Sequence, residues 1–177
     1  MADAALTLGE ATVAAQLGLR GDASDKRFVE GVAGVLGVAP PTAPNTAAGA
    51  GSVALLWLSP DEWLVTAKEA PCELAGRLRG ALAGQHVAVV DLSASRVVFE
   101  LAGPRARDVL AKGCGLDLHP RAFGAGRCAQ TALARAAVIL HLIDETPRYR
   151  IFVRRSFTRY LEAWLRDAAE EFAAPTP

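Results

Sequence analysis

Apolar positions alternate loosely through "TVAAQLGL", and that two-residue period predicts a strand from Thr12 to Leu19. The period then changes. In "SDKRFVEGVAGVL", Phe28, Val32, Val35 and Leu36 fall on one stripe at helical spacing, with Ser24 or Asp25 placed to cap the first turn. Residues 37–52 are rich in Pro, Gly and Ala without a period, so they are expected to form a connector. "SVALLWL" and "WLVTA" are apolar runs of strand length separated by "SPDE", in which Pro60 and Asp61 favour a tight turn. They predict a hairpin pairing Val53–Leu58 with Trp63–Thr66. Pro71 suits the first position of a helix in "PCELAGRLRGALAG", with Leu74, Leu78 and Leu82 one turn apart and Gly84 as its stop. "HVAVVDLS" reads as one more strand.

Residues 1–92 therefore run βαββαβ, the order of a ferredoxin-like unit. Residues 93–177 open with "SRVVFELAG", where Val97, Phe99 and Leu101 alternate with Val98 and Glu100. A short helix follows in "GPRARDVLAKG", with Pro104 at its first position, Gly113 after its last, and Asp108 and Lys112 spaced to pair. Beyond a loop, strands are expected at Cys128–Ala134, Ala137–Ile143 and Arg148–Val153, the last two joined at "ETPR". A final helix starts at Ser156, whose side chain is placed to cap it, and carries a stripe of Phe157, Leu161, Trp164, Leu165, Ala168 and Phe172. The class is α+β, one domain of two halves alike in element order, with mixed or antiparallel sheets packed by helices.

Composition narrows what such a fold does. About half of the 177 residues are hydrophobic, enough for a sizeable core. Nineteen basic residues balance nineteen acidic ones, and adjacent arginines occur at Arg154–Arg155 within an otherwise scattered set, which argues against nucleic acid as a partner. A neutral, apolar chain is instead expected to keep part of its surface inside an assembly. No apolar run is long enough to cross a bilayer, and the N-terminus lacks the pattern of a signal peptide. Three widely spaced cysteines, Cys72, Cys114 and Cys128, suit a reduced cytoplasmic setting.

Candidate chemistry centres on "CGLDLHPRAFGAGRC", which places His119 between Cys114 and Cys128. Structural zinc sites pair their ligands two to four residues apart, and no such pair exists here. Thiol catalysis needs an exposed cysteine beside a base, whereas Cys128 begins an apolar strand. The thiols read as small buried hydrophobes. His141, inside "AVILHLID", reads as an interior or interface histidine, and His86 sits near a helix C-terminus. No carboxylate pair offers acid–base work. Asp91 in "VVDLS" is placed to accept backbone N–H groups in the turn at Ser93. Gly124 and Gly126 lead into a strand, which excludes a dinucleotide-binding fingerprint, and no phosphate loop occurs. Trp57 and Trp63 flank the hairpin turn symmetrically and read as core, with cross-strand stacking as the alternative.

Three stretches carry a resemblance: "LWLSPDEWLVTA", "VVDLSASRVVFELAGPRARDVLAKGCGLDLHPRAFGAGRCAQT" and "FVRRSFTRYLEAWLRDAAEEF". Together, over roughly Leu55–Phe172, they resemble the γ subunit of heterotetrameric sarcosine oxidase. That family is in turn similar to the folate-binding module of the glycine-cleavage aminomethyltransferase, which makes the implied fold aminomethyltransferase-like. The resemblance implies a non-catalytic subunit supporting a complex that demethylates sarcosine to glycine and passes the one-carbon unit to tetrahydrofolate. It places FAD, FMN, NAD, zinc and tetrahydrofolate in the other subunits and none in this chain. Its partners would be the α, β and δ subunits.

The resemblance also makes the two-cysteine segment a crossing loop between helix and hairpin. Asp117 and Arg127 are expected to tether its ends, and Leu116, Leu118 and Phe123 to pin it. Aminomethyltransferases carry acidic residues at the hairpin tip where this chain has Ala134, Arg135, Ala136 and Ala137, so the module has lost its acid. Leu118, His119, Pro120 and Phe123 in the loop, with Trp57 and Trp63, are the expected contacts to a partner subunit. Two other readings stand beside this one: a subunit of a related N-methyl amino-acid dehydrogenase, and a free-standing folate-dependent one-carbon enzyme.

Overall fold

The computed structural model describes residues 6–172 and divides into two units: Thr12–Ser95, and a second formed by the chain up to Ala11 together with Arg96 onward. The chain enters with β1 (Thr7–Glu10), which belongs to the second unit. The first unit then runs β2 (Ala15–Arg20), α1 (Lys26–Leu36), β3 (Ala47–Ala50), β4 (Val53–Ser59), β5 (Glu62–Ala67), α2 (Pro71–Ala81) and β6 (Ala88–Asp91). The second continues with β7 (Arg96–Ala102), α3 (Ala106–Ala111), β8 (Cys128–Leu133), β9 (Ala136–Asp144), β10 (Arg148–Arg154) and α4 (Thr158–Ala169).

Each first-unit element follows from its residues. Asp25 caps α1 by accepting the Arg27 N–H, and Gly37 ends the helix with φ at 73°, a conformation open to glycine at no steric cost. The stripe of Phe28, Val32 and Leu36 is buried against Leu17, Leu19, Trp63 and Val65 of the sheet. Pro71 starts α2, which buries Leu74, Ala75 and Leu78 on the same core. The sheet order is β3-β4-β5-β2-β6, with every pair antiparallel. Its last four strands have the expected ferredoxin-like arrangement, and β3 adds an edge. That strand corrects the expected connector: within residues 37–52, "AAGA" pairs with β4 from Ala47↔Leu56 to Ala50↔Val53. Its residues have little β propensity, so the pairing comes from the edge offered by β4.

The second unit has the order β1-β7-β10-β9-β8, again antiparallel throughout. Both units have one topology. Numbering the strands from β2 in one and from β7 in the other gives the same sheet, 2-3-4-1-5, with helices after strands one and four. The fifth strand is β6 in the first unit and, in the second, β1 from the N-terminal side. This corrects the expected division at residues 92/93, because Thr7–Glu10 pairs with Phe99–Ala102. A four-residue, mostly exposed strand whose partner lies far along the chain leaves no local pattern to read.

Three further expectations change in the second unit. α3 starts at Ala106, after a turn that holds Pro104. Asp108 pairs with Arg105 at 3.2 Å, while the Lys112 ammonium donates to the Ala168 carbonyl at 2.6 Å and pairs with Glu171. α4 is preceded by a 3-10 turn at Arg155–Phe157, so Ser156 lies inside that turn and no side chain caps the helix. Leu161, Leu165 and Ala168 are buried, but Phe157 remains 39% exposed, edge-on to Tyr160.

Candidate functional site: the loop between α3 and β8 and the outer face of its sheet

The loop leaves α3 at Gly113. A Cβ there would lie 2.5 Å from the Trp164 ring and 3.1 Å from the Ala134 nitrogen, closer than side chains approach, so only glycine fits without displacement. Its carbonyl accepts the Ala134 N–H at 2.9 Å, fastening the β8–β9 turn to the end of the helix. Ala134 holds φ at 51°, a conformation costing an alanine about 1–2 kcal/mol. Cys114 bridges to Leu133. The carboxylate of Asp117 accepts the His119 N–H at 2.9 Å, and the His119 ring nitrogen Nδ1 accepts the Arg121 N–H at 3.2 Å. The carbonyl of His119 accepts from both Ala122 and Phe123 at 2.8 Å. These bonds give the His119 imidazole a turn-forming job.

Two core contacts hold the loop down. Leu118 is buried and its carbonyl accepts from Arg107 Nε at 3.0 Å. Phe123 is 5% exposed and stacks on Tyr149 with centroids 6.4 Å apart. Leu116 packs at the margin of the same core. The expected tether between Asp117 and Arg127 does not form among the described residues; a local turn takes up Asp117 and backbone bonds join Gly126 and Arg127 to Leu142. Of the expected contact residues in this loop, His119 and Pro120 are exposed, whereas Leu118 and Phe123 have their side chains inside the chain. In the other unit Trp57 lies directly opposite Trp63 and is half-buried, whereas Trp63 is fully buried. Trp63 lies 5.6 Å from the Phe28 ring and donates its indole N–H to the Pro41 carbonyl at 2.8 Å.

The cysteines and His119 do not converge on one another. Strand register puts Cys128 opposite His141, His141 opposite Arg150, and Arg150 opposite Glu100, which makes one polar row across the outer face of the sheet. Arg150 and Glu100 approach to 3.5 Å. Burial, then the nearby Arg150 charge, push His141 down to about 4, so the imidazole is neutral at physiological pH. Cys128 has no exposed surface, which closes it to any substrate. Cys72 is exposed on α2, in the other unit. Among the described residues no three His, Cys, Asp or Glu side chains gather as a metal site. Asp91 does what its turn required: its carboxylate accepts the Ser93 N–H at 2.9 Å and the Ser93 hydroxyl at 2.6 Å, and those bonds hold it below the usual carboxylate range. Sequence reading missed Arg107 as the loop's anchor and the Glu100–Arg150–His141 row. The row was readable as every second residue on the face opposite Val97, Phe99 and Leu101, once strand pairing was known.

Residues 20–171 match the family described as "Sarcosine oxidase, gamma subunit family". The chain belongs to the sarcosine oxidase gamma subunit family. It is 43% identical to the sarcosine oxidase subunit gamma of Corynebacterium sp. (strain U-96) over 171 residues, covering 96% of this chain and 82% of that protein. It is likewise 43% identical to the subunit gamma of Arthrobacter sp. over 173 residues, covering 97% and 84%. Its fold superposes on a chain of the heterotetrameric sarcosine oxidase from Corynebacterium sp. U-96 with a TM-score of 0.88, covering 97% of this chain and 87% of that one. The glycine cleavage system aminomethyltransferase T of Bartonella henselae shares the fold, with a TM-score of 0.69 at 18% identity, over 93% of this chain and 46% of that one. The expected aminomethyltransferase-like fold is therefore observed. Against that fold, the β8–β9 tip of this family member carries Ala134 and Arg135 and no carboxylate.

Proposed function

We propose that this chain is the structural γ subunit of a cytoplasmic heterotetrameric sarcosine oxidase, an oxidoreductase that demethylates sarcosine to glycine and hands the one-carbon unit to tetrahydrofolate. The observation that carries the reading is its 43% identity, over nearly its whole length, to sarcosine oxidase γ subunits, joined to the 0.88 superposition on a chain of the heterotetramer. The internal chemistry supports a role without turnover. The buried thiol of Cys128 and neutral His141 are sealed from substrate, His119 is engaged in a turn, and the hairpin tip has no acid. FAD, FMN, NAD, zinc and tetrahydrofolate then belong to the α, β and δ subunits. No helix among the described residues is long and apolar enough to cross a membrane.

Within that complex, the exposed crown of the crossing loop, His119–Ala122, is the part of the loop offered to a partner subunit, with half-buried Trp57 as a second contact. Leu118, Phe123 and Trp63 support those surfaces from inside. The test is co-expression with the three other subunits, followed by size-exclusion chromatography. The expected result is one copy of this chain in each assembled, flavin-bearing particle. Assembly of an active particle of the same composition without it would contradict the reading.

A further inference from the structure

Along β10 the arginines of the outer face meet different company. Arg148 donates to Asp144 at 2.9 Å, and Arg150 lies 3.5 Å from Glu100. Arg154, the last, lies directly opposite another arginine, Arg96. The two line a shallow open depression whose floor includes Ile139 and Phe152, with Gln130 and Thr131 on its β8 side.

The same end of the sheet carries the β8–β9 turn and the start of α4. There the Arg135 N–H donates to the Tyr160 hydroxyl at 3.3 Å, placing this turn beside Phe157 and Tyr160. These two rings are each 39% exposed and, with Val90 of the other unit, are the exposed large hydrophobic side chains among the described residues. From Arg154 to Tyr160 the sequence "RRSFTRY" holds three arginines and no acid. Arg135, Arg154 and Arg159 form no ion pair among the described residues, although most other arginines of this neutral chain do.

We infer that this end of the second unit, Arg135, Arg154 and Arg159 around Phe157 and Tyr160, is a docking surface for an acidic segment of a partner protein chain. The arginines fit carboxylates in the fork geometry that favours them, and the two exposed rings fit the apolar side chains between. Charge complementarity decides the occupant: Arg135, Arg154 and Arg159, three arginines without an ion pair among the described residues, gather at one end of a chain with no net charge and call for carboxylates from outside. The inference rests on the subunit reading for the identity of the partner, and it names a surface separate from the crown of the crossing loop.

The experiment uses the full chain with Arg154→Glu and Arg159→Glu together, co-expressed with the three other subunits. Charge reversal is expected to lower the assembled fraction about tenfold, and the wild-type association to weaken as salt rises. Val90→Glu, on the other unit, is expected to leave assembly unchanged. Circular dichroism checks the fold, and the milder Arg154→Gln with Arg159→Gln stands in if the reversed chain fails to fold. A second measurement follows a labelled peptide of alternating Glu and Leu, expected to bind the wild-type chain and not the double variant. Wild-type assembly with equal assembly of the variants overturns the surface and leaves the subunit reading standing. Failure of the wild-type chain to join the subunits, with arginine-dependent peptide binding retained, sinks the subunit reading and leaves the surface. Equal disruption by Val90→Glu, or preference of the wild-type chain for a single-stranded oligonucleotide or anionic vesicles over the peptide, also overturns it.

Discussion

The two units carry one topology and fasten the same loop in different ways. In each, a crossing loop runs from the first helix to the second strand: residues 37–46 after α1, and residues 112–127 after α3. In each, the second residue of the fourth strand is an aromatic that holds this loop. Trp63 donates its indole N–H to the Pro41 carbonyl, whereas Tyr149 stacks on Phe123. The shorter loop is proline-rich: the buried Trp63 ring bonds Pro41, the Trp57 backbone N–H donates to the Thr46 carbonyl at 3.0 Å, and Val38 packs at the margin of the core. The longer one sends its own ring and Leu118 into the core and is held again by Arg107. A longer excursion needs more anchors to offset the entropy of ordering it, and those anchors leave its crown, His119–Ala122, exposed in a fixed shape. The comparison teaches that Phe123 is the counterpart of an internal fastening, and that any partner contact by the loop lies in the residues just before it.

The sharpest way to break this equivalence is to remove the rings. Trp63→Ala and Phe123→Ala should each destabilise the isolated chain by about 3–5 kcal/mol, because each empties a buried aromatic site. Urea denaturation followed by circular dichroism measures both. An unchanged midpoint for Phe123→Ala, with weakened subunit association, would make Phe123 an interface anchor and dissolve the parallel.

The outer faces of the sheets give the next contrast. The first unit buries Gln16, Leu56, Leu64 and Thr66 there, with no ionisable side chain among these, whereas the second buries His141 beside Arg150. His141 has a folded pKa of about 4 against an ordinary 6.5. Below pH 6.5 the unfolded chain takes up a proton that the folded chain refuses, so its contribution to stability is lost as pH falls from 6.5 toward 4. The loss amounts to at most about 3 kcal/mol for this group. His141→Leu should flatten the melting temperature between pH 7 and pH 5, and an unaltered pH slope would show that the imidazole is not held neutral by burial.

Arg107 sharpens the comparison at a smaller scale. Arg107→Ala removes a charged donor from the Leu118 carbonyl and should cost about 1.5–3 kcal/mol, with faster amide exchange across residues 116–123. Asp117→Ala, which loses only an exposed turn bond to His119, should cost less than about 1 kcal/mol. Equal effects from the two would mean that Arg107 is not the anchor.

Much of this architecture was legible in the chain. The stripe of Phe28, Val32 and Leu36, the "SPDE" turn, the Pro71 helix start and the three strands from Cys128 onward declare themselves through period and turn chemistry. What stayed hidden depends on pairing between distant residues. β1 is too short and too polar to read, β3 is four small residues held by a neighbour, and the shared topology emerges only when β1 is counted as the fifth strand of the second unit. The loop's anchor failed for a similar reason. Asp117 and Arg127 frame the loop in sequence, but a carboxylate two residues before a free N–H makes a local turn sooner than it spans to a distant arginine. The polar row of Cys128, His141, Arg150 and Glu100 needed the register of four strands before its members could be seen together.

The central claim is that this chain builds the complex and does not take part in its chemistry. It is tested most directly by turnover of sarcosine per bound flavin in complexes carrying His119→Ala, His141→Ala or Cys128→Ala. The account predicts reduced yields of assembled complex for the buried pair, with turnover per flavin within about twofold of wild type for all three. A fall of about a hundredfold or more in flavin-normalised turnover at normal assembly, the size expected when a general base or nucleophile is lost, would contradict it.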